Sequence, residues 1–553
     1  MQAAASDHLP HPASRPAALL GRWFGGWRIT AFLVSLITLV PLVVVLSSFL
    51  VPATEIWQHL SHNVLPELLR NTFWLVAGVA LGTGVLGTSL AWLTAVCEFP
   101  GRRFFSWALM LPLAIPAYVT AFVGIGLLDY TGPLQSALRD LFGSSAWFPP
   151  IRSRGGVILV MTLALYPYVY LLARNAFLTQ GKRSLEVGQS LGLSRWQGFF
   201  RVALPMARPW LAAGIMLAMM ETLADFGTVA VFNYDTFTTA IYKAWFGLFS
   251  LTAAAQLASI LVLLVLALVL LEQAWRRGKR YHAVGRSQLS RLALSRRARL
   301  VACAYASLVL AAAFVIPVLQ LLAWSVQVFA EDFDARYPSF VWHSVALSAM
   351  AALLVVGAAL VLVYTVRLHR DWPTLFFSRL STLGYAIPGT VLAVGIFIPI
   401  AWLDNQLIAL LKAGFGIDTG AVLRGTLVVM LLAYVARFLA AGFNPIDSAM
   451  QRITKSQEEA ARGMGITGWR LFARVHLPLL RGGLLTGAIL VFVDVMKEMP
   501  ITLMTRPFGW DTLAVRIFEM TSEGQWERAA LPALALVVAG LLPVILLTRQ
   551  SEA

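Results

Sequence analysis

Twelve stretches of this chain stay apolar for about 20 residues, the length an α-helix needs to cross the hydrocarbon core of a bilayer. They fall near 29–51, 72–97, 104–128, 155–178, 209–232, 248–273, 300–330, 343–366, 375–402, 423–443, 483–505 and 529–548. Lipid offers no partner to backbone N–H and C=O groups, so segments of this kind must satisfy them internally and fold as helices. The chain is 59% hydrophobic and 13% charged, more apolar surface than a soluble core could hide. The expected fold is all-α and polytopic, with six spans on each side of a basic connector at 274–299. Pro41, Pro116, Pro167, Pro388 and Pro543 lie inside spans, which bundled membrane helices tolerate. The stretch at 300–330 is long enough to tilt or to emerge from the bilayer.

The net charge of +16 would suit a nucleic-acid binder, but its distribution points to a membrane. Most of the 43 Lys and Arg residues fall at 1–28, 98–103, 174–208, 274–299, 367–379, 451–481 and the C-terminus. These segments share one side if residue 1 is cytoplasmic, as the positive-inside rule requires. Both termini are therefore expected in the cytoplasm, and no nucleic-acid partner is expected. Residues 1–28 read as a disordered tail without a cleavable signal peptide. The connector is expected to be solvated and to meet anionic lipid headgroups. Cys97 and Cys303 lie in apolar stretches and suggest no disulfide scaffold.

One cytoplasmic loop occurs twice. Residues 186–205 read EVGQSLGLSRWQGFFRVALP and residues 459–478 read EAARGMGITGWRLFARVHLP. Glu186, Gly192, Trp196, Arg201, Val202 and Pro205 match Glu459, Gly465, Trp469, Arg474, Val475 and Pro478, each pair 273 residues apart. The reading is a helix, a glycine reversal at positive φ, and a second helix ending at Leu204-Pro205 or Leu477-Pro478. Ser456 and Glu459 have the spacing of a capping box. Trp196, Phe199, Val202 and their counterparts Trp469, Phe472, Val475 recur at a spacing of three, which places them on one helix face. LPLAIPAYV at 111–119 parallels LGYAIPGTV at 383–391, and ETLADFGT at 221–228 lies opposite DVMKEMPI at 494–501. An even number of spans per repeat gives both copies the same orientation, so the pseudo-two-fold axis runs along the membrane normal, where a pathway is expected.

The E-x5-G-x9-V-x-L-P pattern resembles the EAA loop of importer-type ABC transporter permeases, which are fed by a substrate-binding protein. Glu459-Ala460-Ala461 matches the triplet, while Glu186-Val187-Gly188 departs at its second and third positions, so the two interfaces are expected to differ. The fusion of two units, YPYVYLLARNAF at 166–177, ETLADFGTVAVF at 221–232 and RPFGWDTLAVRIFEM at 506–520 resemble the ferric-iron permease group, with the thiamine permease group as the alternative. The resemblance implies a bacterial inner-membrane permease of the type I importer fold. Its units would be 29–273 and 300–553, and its loops would dock on two separate ATPase subunits. It also implies a periplasmic binding protein that delivers the substrate. The chain has no G-x4-G-K-[S/T], so ATP belongs to the partner subunits and no cofactor is expected on this chain.

Glu221 and Asp225 are spaced i, i+4, and Asp494 and Glu498 take the matching positions in the other half. A charge at bilayer depth costs about 2.5–3.5 kcal/mol on insertion scales, so all four should face protein or water. Two readings are open. The acids could flank the axis as a passage for a hard cation, or they could pair between helices with Lys497, Arg174 and Arg437; the second is preferred. His59 and His62 lack the supporting ligands of a metal site. Tyr166, Tyr168 and Tyr170 are expected to pack within the bundle or to sit at its inner edge rather than to bind substrate. There is no nucleophile–base set, so a membrane enzyme is not expected. A secondary transporter would leave the duplicated loop unexplained.

Overall fold

A computed structural model of the chain describes residues 26–51, 55–180, 190, 192–276, 291–333 and 336–552. Residues 1–25 of the expected tail and much of the connector lie outside these residues, whereas 26–28, expected as tail, already belong to the helix Gly26–Ser47. Among the described residues, ten helices are long and apolar enough to cross a membrane. An eleventh span arises if Arg102–Ala114 and Ala117–Phe142, which meet at 91°, are counted as one. The twelfth expected position is the shorter apolar stretch Ala530–Ile545. The spans expected at 104–128 and 375–402 are thus each broken at their internal proline, Pro116 and Pro388. Leu111–Ala114 tightens to a 3-10 turn, and Pro116 at ψ 140° turns the chain before the next helix begins. The only strand pairing among the described residues is a two-residue parallel contact of Cys97–Glu98 with Leu292–Ala293.

Prolines shape the long helices by a repeated rule. Among the described residues there are five π turns, and four of them (Leu60–Val64, Phe199–Ala203, Ala311–Val315 and Phe472–His476) immediately precede an apolar residue and a proline. The prolines are Pro66, Pro205, Pro317 and Pro478. A proline cannot donate to the carbonyl four residues back, and its ring clashes with that carbonyl. A wider turn sets the crowded carbonyl aside and lets the helix continue. The expectation that Leu204-Pro205 and Leu477-Pro478 end a helix is therefore corrected: the chain runs through both into Leu204–Ala224 and Leu477–Lys497.

Helices meet closely where side chains are small. A Cβ at Gly78 would lie 2.5 Å from Ile158, and one at Gly82 would lie 2.4 Å from Thr162. Their i, i+4 spacing lets Leu65–Val96 lie against Arg154–Gln180, the small-residue packing of membrane helices. The halves also interlock. Gly26–Ser47 packs on Trp372–Thr382 and Gly389–Phe415 of the other half. Arg28 pairs with Asp371 there, and Thr38 donates to the Ser381 carbonyl at 3.2 Å. Reciprocally, Arg296–Leu310 sits against the first half, with Ser89 and Tyr305 hydroxyls 2.7 Å apart.

Candidate functional site: a central cavity and two duplicated loops

The broken helices of the two halves meet at one place. Leu204–Ala224 stops at Asp225 (φ −66°, ψ 131°) and Leu477–Lys497 stops at Glu498 (φ −71°, ψ 117°). The next residues, Phe226 and Met499, are also alike in backbone, and the short helices Gly227–Val231 and Pro500–Thr505 follow. Pro116 (φ −57°, ψ 140°) and Pro388 (φ −56°, ψ 142°) make the second matched pair of breaks. A Cβ on Gly227 would lie 2.5 Å from Met499 and 2.7 Å from Tyr118, and one on Gly389 would lie 2.5 Å from Glu498. The four breaks therefore pack on one another. Irregular backbone at membrane depth survives where protein buries it or where it lines a cavity.

Such a cavity is present, with a volume of about 1440 Å³. It extends from the breaks, at Pro116, Asp225 and Glu498, down to Ser448, Arg452 and Gln457 beside the second loop. Phe226, on the cavity wall at the breaks, clusters with Tyr242 and Phe518 at ring-centroid distances of 5.3–6.2 Å, and this brings the halves into contact. Arg506 and Arg516, paired with Glu519 at 2.8 and 3.4 Å, stand beside this aromatic layer.

The four acids divide into two kinds. Asp225 accepts from the Thr228 hydroxyl at 2.9 Å and the Val229 N–H at 3.2 Å, so it caps the short helix after its break. Glu498 accepts from the Ile501 N–H at 3.2 Å and pairs with Arg437 Nε at 3.3 Å. Glu221 and Asp494, one turn earlier, line the cavity, and neither has a hydrogen bond or ion pair among the described residues. Lys497 also lines it, with Nζ donating to the Leu113 carbonyl at 3.0 Å. The ion-pair reading thus holds for Glu498 with Arg437, while Arg174 joins none of the acids. Tyr168 and Tyr385 lie on the cavity wall with these two carboxylates.

The second loop is fully built. Thr454, not Ser456, caps Lys455–Gly463, in a reciprocal box with Gln457; this corrects the sequence expectation. Thr454-x-x-Gln457 offers the same chemistry two residues earlier, directly after the turn at Ile453. Glu459 and Ala460 are exposed and Ala461 is buried. Gly465 (φ 77°) closes the helix, with its N–H on the Arg462 carbonyl and the Ile466 N–H on Ala461, both at 2.9 Å. Met464 and Trp469 point outward, 73% and 75% exposed. The face expected from the spacing of three is therefore split, because Phe472 is buried while Trp469 is not. In the first loop Gly192 has φ 80° and Pro205 follows its π turn. Glu186 and the Trp196 side chain lie outside the described residues.

The model of the family described as "Binding-protein-dependent transport system inner membrane component" matches this chain twice, over residues 85–273 and 356–551. The chain belongs to that family. It is 30% identical to the Fe(3+)-transport system permease protein FbpB 2 of Haemophilus influenzae, over 88% of this chain and 90% of that one. It is 25% identical to the probable ABC transporter permease protein y4fN of Sinorhizobium fredii, over 96% of each. The molybdenum transport system permease protein ModB of Escherichia coli matches at 27%, over 34% of this chain and 80% of its own length. The chain is thus the multi-pass permease of a binding-protein-dependent ABC importer, with two family units in one polypeptide.

The cavity positions of two tyrosines escaped the sequence reading. Tyr166 and Tyr170 are buried as expected, donating to the Leu109 and Ser106 carbonyls at 2.9 Å each. Tyr168 is not; a spacing of two on a helix turns it about 200° from Tyr166, which places it on the cavity wall. Tyr385 lies in the 3-10 turn Leu383–Ala386, and the parallel between AIPAYV and AIPGTV was the available signal. His59 bonds Asn63 at 3.1 Å, and among the described residues no group of three His, Cys, Asp or Glu side chains could hold a metal.

Proposed function

We propose that this permease carries ferric iron inward through the central cavity, driven by two ATPase subunits that dock on its duplicated loops. The observation that carries the reading is that Glu221 and Asp494, at matched positions of the repeat, both line the central cavity without a direct hydrogen bond or ion pair among the described residues. Hard trivalent cations favour oxygen donors, and carboxylates with neighbouring phenols supply them. Near the breaks four carboxylates, Glu221, Asp225, Asp494 and Glu498, share the cavity lining with two cations: Arg437 pairs with Glu498, and Lys497, whose Nζ donates to the Leu113 carbonyl, feels the charge of Asp494. That balance favours a cation over an oxyanion as cargo. The Haemophilus relative named for Fe(3+) transport covers nearly the whole chain, which supports the same reading.

In this account the units 29–273 and 300–553 are joined by the cytoplasmic connector 274–299, and both termini are cytoplasmic. The cavity, open toward the loops and closed beyond Phe226, is the inward-facing state. Glu186, Gly192, Trp196 and Pro205 form one ATPase-docking loop, and Glu459, Ala460, Ala461, Gly465, Trp469 and Pro478 form the other. ATP closes the partner subunits, the loops approach one another, and the aromatic layer of Phe226, Tyr242 and Phe518 parts toward a periplasmic binding protein. Asp225 and Glu498 hold the broken helices in place, and Glu221 and Asp494 hold the cation loosely, because cargo must also leave.

The test is ATP hydrolysis by the reconstituted complex, with the binding protein loaded in turn with ferric iron and with thiamine. Stimulation by the iron-loaded protein alone is expected. Stimulation by the thiamine-loaded protein alone would retain the importer and reject the cargo.

A further inference from the structure

The second loop carries a polar joint whose three members have no polar counterparts at the matched positions of the first half. Glu458 stands immediately before exposed Glu459 but turns into the protein, with 13% of its side chain accessible. Its Oε1 accepts from Arg367 Nε at 2.9 Å and from His476 Nε2 at 3.1 Å. Arg367 also donates to the Ile453 carbonyl at 2.9 Å, so one guanidinium holds both the loop helix and the backbone entering it. The His476 side chain is 2% exposed, and Tyr364 meets its ring edge-on with centroids 5.8 Å apart. Arg462, exposed, lies 3.9 Å from the other Glu458 oxygen. Arg367 ends the long helix Tyr337–Leu368, Glu458 lies in Lys455–Gly463, and His476 closes the π turn before Leu477–Lys497. Three elements are thus tied at one carboxylate.

The register of the repeat shows what the first half has instead. Leu65–Val96 and Tyr337–Leu368 are both 32 residues long and set Ala95 opposite Arg367. The loop register sets Leu185 opposite Glu458 and Ala203 opposite His476. All three polar members are replaced by apolar residues together. The aromatic contact beside them is retained, Trp92 with Phe199 at 4.6 Å and Tyr364 with Phe472 at 4.8 Å. The shared architecture therefore does not require the triad. A buried ion pair adds little net stability over apolar residues that fill the same space, whereas charge-assisted bonds to a guanidinium fix geometry.

We propose that Arg367, Glu458 and His476 form a positioning latch that makes the second loop a rigid lever on the helix Tyr337–Leu368, so that the ATPase stroke reaches the cavity chiefly through the second half. The proposal rests on the reading of the loops as ATPase-docking elements. The three residues act through the loop and touch no cargo. The first loop, with Ala95, Leu185 and Ala203 in place of the triad, yields under the same stroke, so the two ATPase sites are mechanically unequal.

The latch is tested in the full complex with its ATPase subunits, reconstituted in liposomes, with Cys97 replaced by Ala and Cys303 by Ser. Spin labels on Leu217→Cys and Thr486→Cys, which line the cavity from opposite halves, report its width. In the otherwise unsubstituted complex, ATP shifts the label-to-label distance. The variant Arg367→Ala with Glu458→Leu and His476→Ala carries the first half's own residues. It is expected to assemble and hydrolyse ATP yet lose most of that shift. Arg367→Lys keeps the charge but not the forked contact, and is expected to lose part of it. A full shift in the assembled triple variant overturns the latch. If the triple variant does not assemble, an unchanged shift in Arg367→Lys overturns it. No ATP-dependent shift without the latch substitutions would remove the docking reading, and the latch with it.

Discussion

Asp225 and Glu498 sit where two spans break, and each spends its oxygens on the short helix that follows. Glu498 also neutralises Arg437, and both side chains are largely buried. Removing one member of such a pair leaves a buried charge, at a cost of about 3–5 kcal/mol, whereas removing both is often neutral. Glu498→Ala should therefore lower the unfolding midpoint of the purified protein more than Glu498→Ala combined with Arg437→Met. Equal losses would show that the pair is not the reason. In the sequence the four acids were indistinguishable, because i, i+4 spacing does not say which carboxylate meets a helix start. Glu458 allows a test in pH. Burial raises its pKa, but bonds and charge from Arg367 and His476 outweigh burial and hold it below the ordinary 4.5. A depressed carboxylate contributes stability that is complete above its unfolded value and is lost as pH falls through the folded one. The melting difference between the unsubstituted permease and Glu458→Leu should thus be constant at neutral pH and shrink below about pH 4.5. A difference that grew on acidification would contradict the assignment.

The elements were legible where one force dominated. Length and apolarity marked the helices, and Gly192 and Gly465 marked the reversals, at φ 80° and 77°. Proline was harder to read, since Pro116 and Pro388 turn the chain while Pro205 and Pro478 only widen it. The difference lies in what precedes them. A 3-10 turn stands before the first pair and a π turn before the second, and no residue pattern distinguishes these in advance. Pro205→Ala and Pro478→Ala remove the clash that favours the wide turn, and each should stabilise its helix by up to about 3 kcal/mol. Closing a π turn also rotates the loop relative to its span by about 100° per residue. The double variant should therefore melt higher yet couple ATP hydrolysis to uptake poorly, read as ATP consumed per cation imported. Higher stability with normal coupling would mean that the turn does not set the loop's direction.

At the scale of the molecule, the repeat was visible in the sequence but the exchange of first helices was not, because matched segments do not reveal which half they pack on. Gly26–Ser47 lies on the second half and Arg296–Leu310 on the first. Fragments 1–283 and 284–553, expressed together, should copurify in detergent; separate elution would contradict the interlock. The cavity exists because the two halves face each other, and its acids acquire meaning only there. The most direct test of the account is uptake of radiolabelled ferric iron into liposomes holding the complete complex, its iron-loaded binding protein and ATP, comparing the unsubstituted permease with Glu221→Gln plus Asp494→Asn. The account predicts that the double variant assembles with its ATPase normally and loses iron uptake. Uptake at the unsubstituted rate by a fully assembled double variant would contradict it.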